Sequence, residues 1–471
     1  MGKELIFKTL DHKKTDKVPW VPFAGVHAGK LKGYTAEEIL RDEDKLVESL
    51  LEVYKLYSPD GMPVLFDLQV EAEFLGCDLL WAKNNPPSVK SHPYAGEKRI
   101  PCTCMIPTPE SGRLPMILSA MRRVKKEIGD EVALYGLICG PFTLASHLRG
   151  SDIFMDMVTD APFVKELVNF CAQVAIEMSR MYIEAGMDVI AVVDPLVSQI
   201  SPKHIEKMLS EGFTAVFDFI RAQGAYSCFF VCGNAAKQID VMCQMNPDGI
   251  SVDENVDLAG AKATTDKYNI TLGGNIPLTT TMLFGTQEDN MKCVVDLLDS
   301  VDHFNLVISP GCDMPYDTPI ENTVAAAQAV HHPIDAKKMI ENYNTVIDYV
   351  DIEIPDYKTL DKVLIELFLL DPEQCAACTY MLNSVVDAYE DFKDIADYRV
   401  YKYTIREDIA RTRKMGIQNL PTICINGEQT WISIIPSRAE LLAFIRKSAQ
   451  PASGVRAAAD SSKSGKSLKE E

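Results

Sequence analysis

Residues 161–194 read APFVKELVNFCAQVAIEMSRMYIEAGMDVIAVVD. A long amphipathic stretch, Ala161–Ala185, gives way to a short apolar run, Asp188–Asp194. Helical periodicity followed by a continuous apolar strand is the repeating unit of a parallel α/β architecture. The same alternation extends outward in both directions. Strands are expected at Pro19–Gly25, Met62–Asp67, Val132–Cys139, Asp188–Asp194, Tyr226–Cys232, Gly249–Glu254, Ile270–Ile276 and Phe304–Pro310. Helical patterns fill the gaps at Thr35–Tyr57, Ala161–Ala185, Pro202–Gln223, Ala235–Gln244 and Pro319–Val330. Several start at Ser-Pro or Thr-Pro, as at Ser201-Pro202 and Thr318-Pro319, where proline suits the first helical position. Eight βα units within about 330 residues is the count of a (β/α)8 TIM barrel. The segment Glu71–Pro109 interrupts the pattern and is expected to be an insertion over one end.

The 471 residues carry 47 Lys+Arg against 67 Asp+Glu, a formal net charge of −20. That balance argues against a nucleic-acid binder, which needs a basic surface. It also makes the chain a poor attractor for a polycarboxylate substrate. No apolar run is long enough to span a membrane, and the N-terminal stretch is too polar for a signal peptide, so a soluble, cytoplasmic protein is expected. In a reducing compartment the thirteen cysteines read as metal ligands, redox groups or buried small residues rather than as a disulfide framework.

After His331-His332-Pro333 a second programme begins. An apolar strand, Val363–Leu370, leads into Cys375-Ala376-Ala377-Cys378 at the head of a helix through Lys393. A strand Arg399–Thr404, a helix Glu407–Met415, and Leu420-Pro421-Thr422 before strand Ile423–Ile425 follow. Asn426-Gly427 is a two-residue hairpin turn into Thr430–Ile434, and a helix Ser437–Lys447 closes the series. This arrangement resembles the thioredoxin-like fold. The resemblance implies Cys375 as nucleophile, with its thiolate favoured by the helix N-terminus, Cys378 as resolving thiol and Pro421 as the cis-proline facing them. The expected organisation is a barrel at 1–345, a small thioredoxin-like α/β domain at 346–448, and a disordered Ser/Ala/Lys-rich tail at 449–471.

Barrel active sites lie at the C-terminal ends of the strands. The rim is therefore expected to hold Asp67, Cys139, Asp194, Cys232, Asp253, Glu254, Asn275 and, in Ser309-Pro310-Gly311-Cys312-Asp313, Cys312. Thiolates converging from separate strands suit Zn²⁺. The alternative for both thiols is burial as small residues. For the aspartates the alternative is helix capping at strand-to-helix turns. His27, just past the first strand, Asp194 and Glu254 are candidates for a third metal ligand.

Residues 1–340 resemble the uroporphyrinogen decarboxylase superfamily, and within it the cobalamin-dependent methyltransferases. The resemblance is carried by Phe66-Asp67, Glu71–Cys77, Gly140–Ala145, Asp194-Pro195, Val231–Asn234, Asp248–Glu254, Gly274–Ile276 and Ile308–Cys312. It implies an enzyme moving methyl groups between a corrinoid (methylcobalamin) on a partner protein and a small-molecule donor or thiol acceptor. It also implies zinc held by a His-x-Cys motif and a distant Cys. Cys232 and Cys312 match the two cysteines, but Phe230 stands in the place of the histidine. Asp67, Asp194 and Asp253 are expected as catalytic groups, Glu254 and Asn275 as substrate-binding ones, and a homo-oligomer is among the expected partners. Two alternatives stay open. One is tetrapyrrole decarboxylation, disfavoured because Val18–Gly25 lacks the arginines that pair with the substrate's carboxylates. The other is a redox or ligand-binding protein using the C-terminal dithiol.

Overall fold

The structure, a computed structural model, describes residues 2–344, 350–370 and 376–449. The chain divides into two compact units, one of residues 1–348 and 373–377 and the other of 349–372 and 378–471. The first is built on seven strands: β1 (Gly61–Leu65), β2 (Ala133–Cys139), β3 (Val189–Val193), β4 (Tyr226–Val231), β5 (Gly249–Val252), β6 (Thr271–Ile276) and β7 (Leu306–Pro310). They pair in chain order, and every pairing is parallel. Every residue of β1, β2 and β3 is buried, as a sheet covered on both faces requires. The helix Ala161–Glu184 supplies part of the cover. Val164, Leu167, Val168, Cys171, Ala175, Met178 and Tyr182 form its buried face at helical spacing. Its start is fixed by Asp160, whose carboxylate accepts from Phe163 N at 3.4 Å, and by Pro162 in the first turn.

The sheet curls until its edges are bridged. Trp20 pairs in parallel with Ile308 of β7. Val21 N donates to Ile308 O at 3.0 Å, and Ile308 N to Pro19 O at 2.9 Å. On the other edge, Asp60 N and Gly61 N donate to Trp20 O at 2.9 and 3.3 Å. The expected first strand, Pro19–Gly25, is therefore a short strap with one bridging residue. Pro19 and Pro22 have no N–H, so no regular ladder can run along it. The result is a TIM-barrel-like domain.

Two expected helices are each split. Thr35–Tyr57 becomes Ala36–Arg41 and Glu43–Tyr57, because Asp42 leaves the helical region and caps the second helix through Lys45 N. Pro202–Gln223 becomes Pro202–Met208 and Ser210–Ala222. The segment Glu71–Pro109 holds a two-stranded ribbon (Leu79–Leu80 with Ser88–Val89) and one short 3₁₀ turn beyond the helix Val70–Phe74.

Inside the curl, Val21, Phe23, Phe66, Tyr135, Leu137, Val189, Ala191, Val193, Phe230 and Val307 form one core. The helix Gly2–Leu10 closes the floor. Its Ile6 and Leu10 join that core, and Phe7 packs on Tyr226 with centroids 5.3 Å apart.

In the second unit, β8 (Val363–Leu369) pairs in parallel with β9 (Ala396–Lys402) and antiparallel with β10 (Thr422–Ile425). β11 (Glu428–Ile432) pairs antiparallel with β10. Asn426 and Gly427 both have positive φ (49° and 81°), as a tight hairpin turn needs. The helices are Ala376–Val386, Arg406–Lys414 and Arg438–Ala449. Pro421 follows a cis peptide bond. Cys378 is buried and its Sγ accepts from Leu370 N at 3.4 Å. Cys375, expected as nucleophile, lies outside the described residues, as does the expected tail 449–471 except for Ala449, which instead ends the last helix.

A buried ion pair organises this unit. Glu366 and Arg411 are both buried, with Oε1 to Nη2 at 2.5 Å, while Tyr357 OH donates to Glu366 Oε2 at 2.7 Å. Arg411→Met strands the carboxylate. It should lower the unit's stability by about 3–5 kcal/mol, read by urea unfolding. Adding Glu366→Leu to that variant should restore most of the loss.

Candidate active site at the barrel mouth

Parallel pairing sends all seven strands' C-terminal ends to one rim. Asp67 follows β1, Cys139 ends β2, Asp194 follows β3, Cys232 follows β4, Asp253 and Glu254 follow β5, Asn275 lies in β6, and Cys312 follows β7. Two of these are brought together directly. Cys232 and Cys312 have their sulfurs joined, with Cα atoms 6.2 Å apart. The chain can turn away after Cys232 because Gly233 adopts φ +88°, and its N–H donates to the Asp253 carboxylate. Before Cys312, a side chain on Gly311 would overlap the Glu254 carboxylate.

The donor set does not complete the zinc shell that the resemblance implies. Phe230 is fully buried, its ring against Phe23 (4.9 Å) and Phe66 (6.1 Å), so the family's histidine position is a hydrophobic floor beneath the cysteines. His27, expected as a third ligand, is also fully buried. Its Nε2 pairs with Tyr57 OH at 2.7 Å and its Nδ1 with Tyr316 O at 2.9 Å, so both ring nitrogens are committed. Among the described residues, no group of three or more His, Cys, Asp or Glu is gathered to hold a metal ion.

The carboxyls of the rim sit in two groups. In one, Asp67 Oδ2 lies 2.7 Å from Arg113 Nη2, and Arg113 Nε donates to Glu73 at 2.6 Å. The Trp81 ring lies against both Arg113 and Arg41, at 5.0 and 4.9 Å. Beside them, Glu71 is buried. Its Oε1 accepts from Cys139 N at 2.9 Å, and its Oε2 has no hydrogen-bond partner. Burial pushes Glu71 up to about 8, outweighing the Cys139 N–H and the Arg113 charge.

In the other group, Asp194 accepts from Phe142 N (2.8 Å), Thr143 N (3.1 Å) and Thr143 Oγ1 (2.6 Å). It thus anchors the start of the helix Pro141–Arg149. Burial raises it to about 7 against those hydrogen bonds. Asp253 accepts from Asn255 N at 2.8 Å as well as from Gly233 N. Glu254 accepts from Leu278 N at 3.3 Å and is raised to about 8 by burial, then by the charge of Asp253. Asn275 Nδ2 donates to Asp253 O (2.9 Å) and Val256 O (2.7 Å), fixing the loop that carries both acids.

Arg113, Glu71 and Trp81 escaped the sequence reading as site residues. Arg113 opens a helix and Trp81 lies in the irregular insertion, so neither stands at a strand end where a rim residue is sought. Glu71 does lie in a stretch that carries the resemblance, and that was the one usable signal.

Residues 1–333 match the family model described as uroporphyrinogen decarboxylase (URO-D). The chain is 27% identical over 326 residues to the methylcobamide:CoM methyltransferase MtbA of Methanosarcina acetivorans, covering 68% of this chain and 94% of that protein. With the methylcobamide:CoM methyltransferase MtaA of Methanosarcina barkeri it shares 26% over 340 residues, 69% of this chain and 96% of the other. A uroporphyrinogen decarboxylase of Nostoc punctiforme is 24% identical over 287 residues, covering 59% of this chain and 80% of that protein. The solved structure of a methyltransferase from Methanosarcina mazei superposes with a TM-score of 0.64 at 23% identity, over 71% of this chain and 99% of that one, and shows a shared fold.

The raised acids set a pH dependence. Glu71 titrates near 4.5 when unfolded and about 8 when folded. The stability from its protonated form is complete below pH 4.5 and is lost as pH rises through about 8. The contribution of Glu71 to stability should therefore fall between pH 5 and 8.5. In Glu71→Gln that fall should shrink by on the order of 1–3 kcal/mol, measured from urea midpoints at both pH values.

Proposed function

The chain belongs to the uroporphyrinogen decarboxylase family, and from that premise we propose that its first 345 residues form a (β/α)8 TIM barrel that transfers methyl groups. The methyl group moves between a corrinoid carried by a partner protein and a small-molecule donor or thiol acceptor. The observation carrying this reading is the match to two methylcobamide:CoM methyltransferases over 94% and 96% of their lengths. Among the described residues, no helix is long and apolar enough to cross a membrane.

The mouth offers chemistry suited to that task. Transfer to a thiol requires removing the thiol proton, so that sulfur attacks the methyl carbon while the electron pair of the breaking bond stays with the departing corrinoid. A carboxylate is normally too weak a base for a thiol with pKa near 8.5. Burial brings Glu71 and Glu254 to about 8, close to matched. Glu71 is mostly protonated at neutral pH, and with no other hydrogen bond on Oε2 it is the ionised minority that takes the proton. Asp67, its oxygens taken by Arg113 and Gln69 N, holds Arg113 in position beside the small molecule, and Asp194 and Asp253 hold the rim loops in place. Glu254 and Asn275 border the substrate. Among the described residues, the donor set at this mouth does not complete a shell for zinc.

Arg113 is committed to Asp67 and Glu73, which leaves it unavailable to a polycarboxylate tetrapyrrole. For the second unit we infer a thioredoxin-like module. A parallel strand pair extended by an antiparallel hairpin, with Pro421 after a cis peptide, supports this reading. In it, Cys375 and Cys378 are the redox dithiol.

The test is turnover of methylcobalamin with small thiols, followed by loss of the methyl–cobalt absorbance and appearance of the thioether. Asp67→Asn should lower kcat/KM by on the order of 10²-fold, since misplacing a bound substrate costs about that much. Release of CO₂ from uroporphyrinogen, with no methyl transfer to any thiol tried, would contradict the proposal.

A further inference from the structure

We propose that Cys232 and Cys312 act as a reversible dithiol/disulfide pair at the barrel mouth, in place of the zinc shell that the family resemblance implies. The inference does not depend on the methyl-transfer reading.

Three features of the mouth carry it. The first is geometric. The Cα atoms are 6.2 Å apart, inside the 4.4–6.8 Å range that a disulfide spans, so the bond closes without moving the backbone. Both positions are fixed independently of the bond. Gly233 is tied to Asp253 beside one cysteine, and Gly311 N donates to Ile276 O at 3.0 Å beside the other. Contacts other than the bond thus fix both positions.

The second feature is the lack of a further ligand. Zinc takes four ligands in structural sites and three protein ligands in catalytic ones. The candidate donors are otherwise engaged: Phe230 is part of the aromatic floor, His27 is bonded through both nitrogens, Asp194 holds three donors of a helix start, Asp67 is paired with Arg113, and Glu254, the carboxylate beside Gly311, accepts from Leu278 N at 3.3 Å and joins no metal-holding group with the cysteines among the described residues. Two thiols without a third donor are better suited to bonding each other.

The third is access. Cys232 and Cys312 are only partly buried, packed on the rim side of the core. By contrast, Cys139, Cys171 and Cys228 are buried and their thiols are pushed up by desolvation, which keeps them unreactive. A small disulfide can therefore reach the rim pair selectively over these buried thiols.

The chemistry balances with a low-molecular-weight disulfide such as glutathione disulfide as oxidant. One cysteine, as thiolate, attacks the glutathione disulfide. A mixed disulfide forms and one glutathione leaves as thiolate, taking up the proton released. The second cysteine then attacks the mixed disulfide, forming the Cys232–Cys312 bond and releasing the second glutathione. Two protein thiols are oxidised and one glutathione disulfide is reduced to two glutathiones. Excess dithiol reverses both steps.

The experiment uses the full-length chain expressed with added zinc and purified without chelator. Zinc content is measured first. The protein is then reduced, treated with glutathione disulfide, alkylated and mapped by peptide mass spectrometry with fragmentation. The expected result is substoichiometric zinc and a crosslink joining Cys232 to Cys312, cleaved again by dithiothreitol. In Cys232→Ser, Cys312 should instead carry a stable mixed disulfide with glutathione. Mapping separates this bond from any formed by Cys375 and Cys378, and the wild-type arm keeps the test valid if a variant fails to fold. Stoichiometric zinc lost on either Cys→Ser change overturns the proposal, as does free alkylation of both cysteines after oxidant.

Discussion

Trp20 is gripped from both edges of the sheet, and the rest of the first unit depends on that grip. Its N–H donates to Asp60 Oδ2 at 2.8 Å, and its carbonyl accepts from Asp60 N and Gly61 N. Its neighbours Pro19 and Val21 exchange hydrogen bonds with Ile308 on β7. A curled parallel sheet with open edges would leave backbone groups of β1 and β7 unpaired, at a cost comparable to a lost hydrogen bond for each buried group. With the strap in place, the strand ends are held in a ring. Side chains far apart in sequence, such as Cys232 and Cys312, become neighbours.

Closure also dries the mouth. Phe23, Phe66 and Phe230 fill the space under the rim, and Glu71, Asp194 and Asp253 on the rim are themselves buried. The cost of charging a group in such surroundings moves Glu71 and Glu254 to about 8 and Asp194 to about 7. Nearby donors pull the other way without prevailing. Asp67, by contrast, is ion-paired with Arg113 at 2.7 Å. One mouth thus contains an ion-paired carboxylate and several nearly neutral carboxyls, and this division lets chemically similar acids take different roles.

Most of the barrel was legible in the sequence, because buried parallel strands are apolar throughout and their helices keep a strict amphipathic period. Seven expected strands agree with β1–β7 to within two residues at each end. The eighth, Pro19–Gly25, could be read only as apolar; its reduction to a strap follows from the missing N–H groups of Pro19 and Pro22. The rim followed from topology alone, since strand ends name their own residues. The environment of those residues did not. Nothing in Gly25-Val26-His27 signals that Tyr57 and Tyr316 claim both ring nitrogens, because those partners come from distant helices and loops. Arg113 was invisible for the same reason. Phe230 was legible as a departure from the family pattern, and the structure supplies its cause: the position is needed for packing.

The central claim is that closure of the barrel creates a low-dielectric mouth whose carboxyls stay protonated near neutral pH. Infrared difference spectroscopy of the carboxyl C=O stretch, titrated from pH 4 to 9, addresses it directly. The expected result is protonated-carboxyl intensity that persists past pH 6 and disappears between about 7 and 8.5, with part of it absent in Glu71→Gln. Complete loss of that band by pH 5.5, as for carboxyls in water, would contradict the account.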